Sequence, residues 1–213
     1  MTLRWGIVGT GTISQQMAGD LSMVRDAEVA AVSSRDAESA DAFANQFGIP
    51  NRYSALADLL ASDIDVVYIG TPHVTHFAIA AEAIAAGKHV LCEKPMGLNA
   101  AEVRELGALA SKAGVFLMEA MWMKFNPLYV RLTQLVAAGE LGEIHSVTAN
   151  FGIPFPKDDS SRWKPGGSTL LDQGIYPVTL AHLFLGAPDE VVAKGVLRED
   201  GVDLSEYFTL SYD

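Results

Sequence analysis

A chain of 213 residues with 15 basic and 26 acidic side chains carries a formal charge of −11 at pH 7. It therefore lacks the clustered cations that an extended nucleic-acid or anionic-membrane surface requires. A hydrophobic content of 49% supplies a sizeable core in one large or two small domains, and the single cysteine, Cys92, excludes an intrachain disulfide or a cysteine-rich zinc site, in keeping with a reducing, cytoplasmic setting.

The N-terminus enters a strand pattern at once and has no charged, apolar and cleavage layout, so no signal peptide is expected. Apolar stretches are broken well before the roughly 20 residues needed to span a bilayer, and the expectation is a soluble chain. The strands are predicted at Leu3 to Val8, Ala27 to Ser33, Asp65 to Gly70, Lys88 to Glu93 and Gly114 to Met118. Uninterrupted apolar runs of this kind suit strands buried on both faces. Between them lie Ala-rich helical patterns: "DAESADAFANQFG" opens on a capping Asp36 and closes on Gly48, and "VTHFAIAAEAIAAG" closes on Gly87. Alternation of strand and helix predicts parallel βαβ units in a doubly wound sheet over residues 1–121, with its ligand beyond the carboxyl ends of the strands.

After about Trp122 the pattern changes. A helix is predicted in "NPLYVRLTQLVAAGELG", then an alternating strand in "IHSVTANFGIP", a loop rich in Pro, Asp, Ser and Lys, an apolar helix "LLDQGIYPVTLAHLFLG" and strands "EVVAKGVLR" and "SEYFTLSY". Residues 122–213 thus read as an α+β domain with a largely antiparallel open sheet, packed tightly on the first because no linker composition separates them.

The chemistry begins at "GIVGTGTIS", where Gly9 and Gly11 follow the first strand. Backbone approaches a pyrophosphate closely only where side chains are absent, and the helix behind it offers unpaired N–H groups and a positive dipole end. Ser14 stands where the fingerprint has its third glycine, so the motif is incomplete and a glycine turn between strand and helix is the plainer alternative. At the end of the second strand Ser33, Ser34 and Arg35 suit the 2′-phosphate of NADP better than the 2′-hydroxyl of NAD, which takes an acidic partner; Asp36 is read as an N-cap. His73 and His76 in "GTPHVTH" lack a third ligand at suitable spacing, so no metal is expected, and a cofactor-lining or capping role is preferred. "CEKPMG" ends a further strand on the same rim, which turns an ordinary proline-terminated turn into part of the cofactor crevice.

Together with "MEAMWMKFNP" and "SRWKPGGSTLLDQGIYPV", these stretches and their spacing make the chain resemble the glucose–fructose oxidoreductase and inositol dehydrogenase family of NAD(P)-dependent oxidoreductases over essentially its whole length. Within it, the chain is most similar to the branch of dimeric dihydrodiol dehydrogenases and NADP-dependent pentose dehydrogenases. The resemblance implies that Lys94 lies beside the nicotinamide and Glu93 faces its ribose. It assigns Gly9, Gly11, Thr12 and Ile13 to the pyrophosphate, Ser34 and Arg35 to the adenosine end, and Thr71, Pro72 and His76 to the cofactor wall. It also implies that Arg162 and Trp163 reach towards the cofactor from the second domain, although a Trp-anchored loop explains them equally well.

Asp172 and Tyr176 are four apart on a predicted helix and so share a face. A dehydrogenase needs a group that accepts the hydroxyl proton as hydride leaves, and Lys94, Asp172 and Tyr176 are the candidates, with His more usual in relatives where Tyr176 stands. The expected activity is NADP-dependent hydride transfer at a hydroxyl or carbonyl carbon of a sugar or cyclic diol, NAD being the other possible cofactor. A non-catalytic dinucleotide-binding regulator and an NAD-dependent, redox-assisted glycosidase are the alternatives. Family members are longer, so the second domain is expected to be incomplete, with an unpaired strand edge that invites a homo-oligomer, dimer or tetramer.

Overall fold

A computed structural model describes residues 2–154 and 161–213 of the chain. The predicted polar loop falls largely on 155–160, outside the described residues. The chain divides into two compact units, Met1–Ala120 and Met121–Asp213.

The first unit runs β1 (Leu3–Val8), α1 (Thr12–Leu21), β2 (Ala27–Ser33), α2 (Ala37–Phe47), β3 (Asn51–Tyr53), α3 (Leu56–Ala61) and β4 (Val66–Ile69). A 3-10 turn at His73–Thr75 then leads into α4 (His76–Ala85), β5 (His89–Cys92), α5 (Ala100–Ala113) and β6 (Leu117–Glu119). All six strands are parallel, in the order β3-β2-β1-β4-β5-β6, which is the doubly wound sheet expected. Successive side chains alternate across a strand, so one face buries Ile7, Val32 and Tyr68 under α1 and α2 (Ala18, Phe43), while the other buries Val8, Val67, Ile69 and Cys92 under α3, α4 and α5 (Leu59, Ala80, Leu106). Asp36 caps α2 by accepting from Ser39 N at 3.0 Å, as its position predicted, and Gly48 ends that helix in the left-handed region at φ 67°. The three-residue β3 escaped prediction: "NRY" has no apolar run, and it is a strand only because Ala31 to Ser33 offer it a partner.

Chain order reverses between β1 and β4, because the connections run outwards to β2 and β3 on one side and to β5 and β6 on the other. At such a switch point the loops beyond two neighbouring carboxyl ends diverge and leave a crevice.

The second unit contains a 3-10 turn at Trp122–Phe125, α6 (Pro127–Ala137), a 3-10 turn at Ser161–Trp163, a π-helical turn at Leu170–Gly174, α7 (Ile175–Leu185), β7 (Glu190–Leu197) and β8 (Asp203–Ser211). Pro127 at the first helical position and the Asn126 side chain accepting from Leu128 N start α6. β7 and β8 form an antiparallel pair. The strand predicted at 144–154 is not one: among the described residues that segment pairs with no neighbouring strand. Alternation of apolar residues makes a segment able to lie in a sheet, but a strand exists only where a partner satisfies its backbone. Here the Gln173 side chain accepts from Ile153 N at 3.3 Å and tethers the segment instead.

Candidate functional site

Gly9 closes β1 at φ +96°, a region that L side chains rarely adopt, and a Cβ there would stand 2.8 Å from Gly70 O. Its glycine is required by the fold, where β1 and β4 part. Gly11 differs. It caps α1 with an ordinary φ of −70°, and nothing lies within 4 Å of a Cβ built on it. The α1 N-terminus has no side-chain cap and no acid in its first turn, and its first helical hydrogen bond runs from Gln15 N to Gly11 O. The N–H groups of Thr12, Ile13 and Ser14 therefore emerge beside an open space that a side chain at 11 would occupy, a cradle that fits a dinucleotide pyrophosphate.

The absent third glycine has a physical explanation. Ser14 is fully buried and packs against Gly70, with Ser14 Oγ donating to Gly70 O at 3.4 Å. A Cβ on Gly70 would collide with that hydroxyl and stand 3.0 Å from the Tyr68 ring. Close helix–strand packing is thus achieved by removing the side chain from Gly70, the residue that follows β4, rather than from α1.

At the end of β2, Arg35 is exposed, whereas Asp36 is committed to its cap, with Ser39 N and Ser39 Oγ both donating to its carboxylate. Those bonds hold Asp36 below the usual carboxylate range. Ser34 Oγ accepts from Asp36 N at 3.4 Å. An acid tied into a helix start is poorly placed to receive a ribose hydroxyl, which leaves Ser34 and Arg35 as the polar groups at this rim.

The "CEKPMG" turn is held bond by bond. Cys92 O accepts from Ala120 N (2.7 Å), Glu93 N donates to Ile69 O (3.0 Å), and Lys94 N donates to Glu93 Oε2 (3.3 Å). Met96 N donates to Glu119 Oε1 (2.8 Å) and Leu98 N to Glu102 Oε2 (2.8 Å). The Lys94–Pro95 peptide is cis. His76 is wholly buried, with Nδ1 2.7 Å from Pro95 O and Nε2 2.8 Å from Thr71 O. It is a strap between two rim loops, so the wall role expected of it narrows to holding Thr71 and Pro95 in place. Thr71 Oγ1 lies 2.7 Å from Thr75 Oγ1, and Pro72 is exposed at the start of the turn. Cys92 is buried at the strand end, where desolvation and then the Glu119 and Glu93 carboxylates push its thiol well up. Among the described residues no cluster of three or more metal-ligating side chains exists.

Asp172 and Tyr176 do not lie on one regular helix. Asp172 sits in the π-helical turn and Tyr176 in the first turn of α7, so the four-residue spacing spans a change of helix type. Arg162 Nε donates to Asp172 Oδ2 at 2.6 Å, and Trp122 Nε1 donates to Tyr176 OH at 2.9 Å, with the Phe151 ring 5.3 Å from the Tyr176 ring. A cavity of about 490 Å³ is lined by Arg162, Trp163, Asp172, Gln173, Asn150 and Glu206 among others, and Tyr176 is not one of its lining residues. Sequence reasoning missed Glu206. It is pushed up to about 7 by burial and by the hydrogen bond and charge of Asp203, while Asp203, although burial opposes it, is held below its ordinary value by Glu206, Leu170 N and Ser168. Asp203 Oδ2 also accepts from Leu170 N at 2.6 Å and so anchors the turn that carries Asp172. Tyr68 and Glu119 were missed as well, since each is a single polar residue in a strand pattern and only contact reveals its partner.

Comparison with known proteins agrees with this geometry. Residues 3–121 match the model of an oxidoreductase family with an NAD-binding Rossmann fold, and residues 129–213 match that family's C-terminal domain. The chain is 40% identical over its whole length to mouse trans-1,2-dihydrobenzene-1,2-diol dehydrogenase and 39% identical to the human one, spanning 66% and 65% of those proteins. It thus covers about two thirds of the length of the curated relatives it matches. The 3-ketoreductase KijD10 of Actinomadura kijaniata, solved with NADP and TDP-benzene, superposes with a TM-score of 0.90 at 33% identity, over 97% of this chain and 65% of that one. GenD2 from gentamicin A biosynthesis, solved with NAD, gives 0.89 at 30% identity, over 99% and 62%. By its nucleotide crevice, its "CEKPMG" turn and these matches, the chain belongs to the Gfo/Idh/MocA family of oxidoreductases.

Proposed function

We propose that the protein is an NADP-dependent oxidoreductase that transfers hydride between the nicotinamide and a carbon bearing a hydroxyl or carbonyl, on a sugar or a cyclic diol. The observation that carries the reading is the turn around Lys94, fixed through backbone groups on both sides at the switch-point rim of a dinucleotide cradle. Curated relatives named as diol dehydrogenases and a ketoreductase solved with NADP support the reaction class. Exposed Arg35 beside a capped Asp36 supports NADP over NAD.

The nicotinamide supplies or accepts the hydride when bound. In this assignment Gly9 and Gly11 admit the pyrophosphate and Thr12 and Ile13 N–H groups bind it, Ser34 and Arg35 take the 2′-phosphate, and Glu93 orients the nicotinamide-side ribose. Thr71 and Pro72 form the rim that His76 secures. Lys94 favours the developing alkoxide, and Lys94, Asp172 or Tyr176 holds the hydroxyl proton. Arg162 orients Asp172, and Trp163 offers an apolar surface to a sugar ring. The setting is cytoplasmic, and the protein is a homo-oligomer, dimer or tetramer, an association favoured by the exposed Val191, Val192, Val196 and Leu197 of β7.

Titration of the protein with NADP and NAD, followed by a panel of aldoses, polyols and cyclic diols read by nicotinamide absorbance, tests the reading. NADP is expected to bind more tightly, and turnover is expected to be lost in Lys94→Met while NADP binding persists. Binding without turnover on every substrate would establish the regulator instead, and tighter binding of NAD would remove the role given to Arg35.

A further inference from the structure

We propose that Tyr68 is a positioning residue for cofactor binding: its phenol fixes the Glu93 carboxylate in the orientation that meets the nicotinamide-side ribose. The proposal rests on the reading of Glu93 above and adds to it a residue on a different strand.

Tyr68 lies in the central strand β4 and is 1% exposed, its ring packed with Ile7, Val32, Ala18 and Phe43. A phenylalanine would fill that space as well, so packing alone does not account for the hydroxyl. The hydroxyl crosses to the end of the neighbouring strand, where Tyr68 OH donates to Glu93 Oε1 at 2.6 Å. Glu93 Oε2 meanwhile accepts from Lys94 N at 3.3 Å. The carboxylate is therefore held by two donors on two different segments, one within the sheet and one within the loop. Burial, followed by the bond to Glu93 and its charge, pushes the phenol far above its ordinary range, so it is a donor at every pH the protein meets. The passage for the ring edge exists because Gly70 has no side chain: a Cβ there would stand 3.0 Å from Tyr68 Cε1. The same glycine admits Ser14 of the pyrophosphate helix. One small residue thus lets both the diphosphate end and the ribose end of the crevice be set from β4.

A glutamate free to rotate would have to be ordered on binding, whereas one already held presents its acceptor at no such cost. Charge-assisted bonds of this length are among the stronger ones in proteins, and loss of the donor leaves the partly buried carboxylate with one fewer contact.

The test is fluorescence titration of wild type and Tyr68→Phe with NADPH and, in parallel, with 2′,5′-ADP, which lacks the nicotinamide half. Tyr68→Phe is expected to weaken NADPH about tenfold and to leave 2′,5′-ADP within about twofold. In a Glu93→Gln background the same substitution is expected to change NADPH affinity by less than about twofold, because the path through Glu93 is already cut. Unchanged NADPH affinity in Tyr68→Phe overturns the proposal, and so does an equal loss for both ligands, which marks a general structural role. Wild-type protein that binds 2′,5′-ADP and NADPH while Tyr68→Phe does not differ leaves the dinucleotide reading standing without Tyr68. Wild-type protein that binds neither ligand fails that reading and this proposal together.

Discussion

The two units present functional groups in different ways. In the first, the rim is built on the ends of β1, β4 and β5, which are locked in one parallel ladder, and buried Ser14, Tyr68 and His76 brace it from within. In the second, Asp172 and Tyr176 are placed by side-chain partners, Arg162 and Trp122, which are themselves partly or largely exposed, on a turn whose helical hydrogen bonding is π rather than α. Geometry made by a ladder fails only when the ladder fails, whereas geometry made by pairs fails one pair at a time. Substitutions that strain the ladder of the first unit should therefore act through global stability, and those that break a pair in the second through local loss.

The sharpest break in that contrast is Gly9→Ala. A positive φ of 96° and a backbone oxygen 2.8 Å from the new Cβ leave the side chain no room unless β1 and β4 separate. A loss of about 3 kcal/mol in urea unfolding is expected from strain and overpacking together. A loss below about 0.5 kcal/mol would show that the rim accommodates change locally, and the comparison would collapse.

Next in size is the Arg162–Asp172 pair, whose side chains are 32% and 14% exposed. Its partial burial places it between exposed pairs, worth little, and buried ones, where a lone charge is costly. Asp172→Asn and Arg162→Met should each cost about 1–2 kcal/mol, and the double variant about as much as either single. The Trp122 and Trp163 side chains, both in this unit, make tryptophan fluorescence the appropriate probe. Additive losses would mean that the two residues act separately.

The same division explains how much could be read from the chain. Apolar runs flanked by glycine and capping residues announced β1, β2, β4 and β5 and the start of α2, because these are dictated by neighbours in sequence. The glycines of "GIVGTG" and the "EKP" turn pointed to the crevice for the same reason. What escaped depended on partners distant in sequence: β3 needs β2, Glu119 needs the Met96 N–H, Tyr68 needs Glu93 and Glu206 needs Asp203. Residues 144–154 erred in the opposite sense, with the pattern of a strand but no strand beside it among the described residues.

Gly11→Ala separates ligand from fold within a single motif. Its φ is ordinary and its Cβ would meet nothing, so unfolding free energy should stay within about 1 kcal/mol of wild type. The methyl group instead enters the space facing the α1 N–H groups, and NADP affinity should fall on the order of tenfold by titration. A destabilised variant with unchanged affinity would assign both glycines to the fold.

The smallest expected effect lies in the second unit, at Glu206 and Asp203. Glu206 titrates near 7 in the folded chain against an ordinary value of 4.5, so between those values the folded state binds a proton that the unfolded chain releases. Stability from this group is complete below about 4.5 and fades as pH rises through about 7; the depressed Asp203 acts oppositely, giving stability that is lost only in acid. Glu206→Gln keeps a donor for Asp203 without a titrating proton. Its unfolding midpoint should therefore vary less than that of wild type between pH 5 and about 7.5. The variant's gain over wild type should be seen at the upper end, where wild-type Glu206 becomes an anion beside Asp203. Equal pH profiles would mean that water, and not Asp203, takes the Glu206 proton.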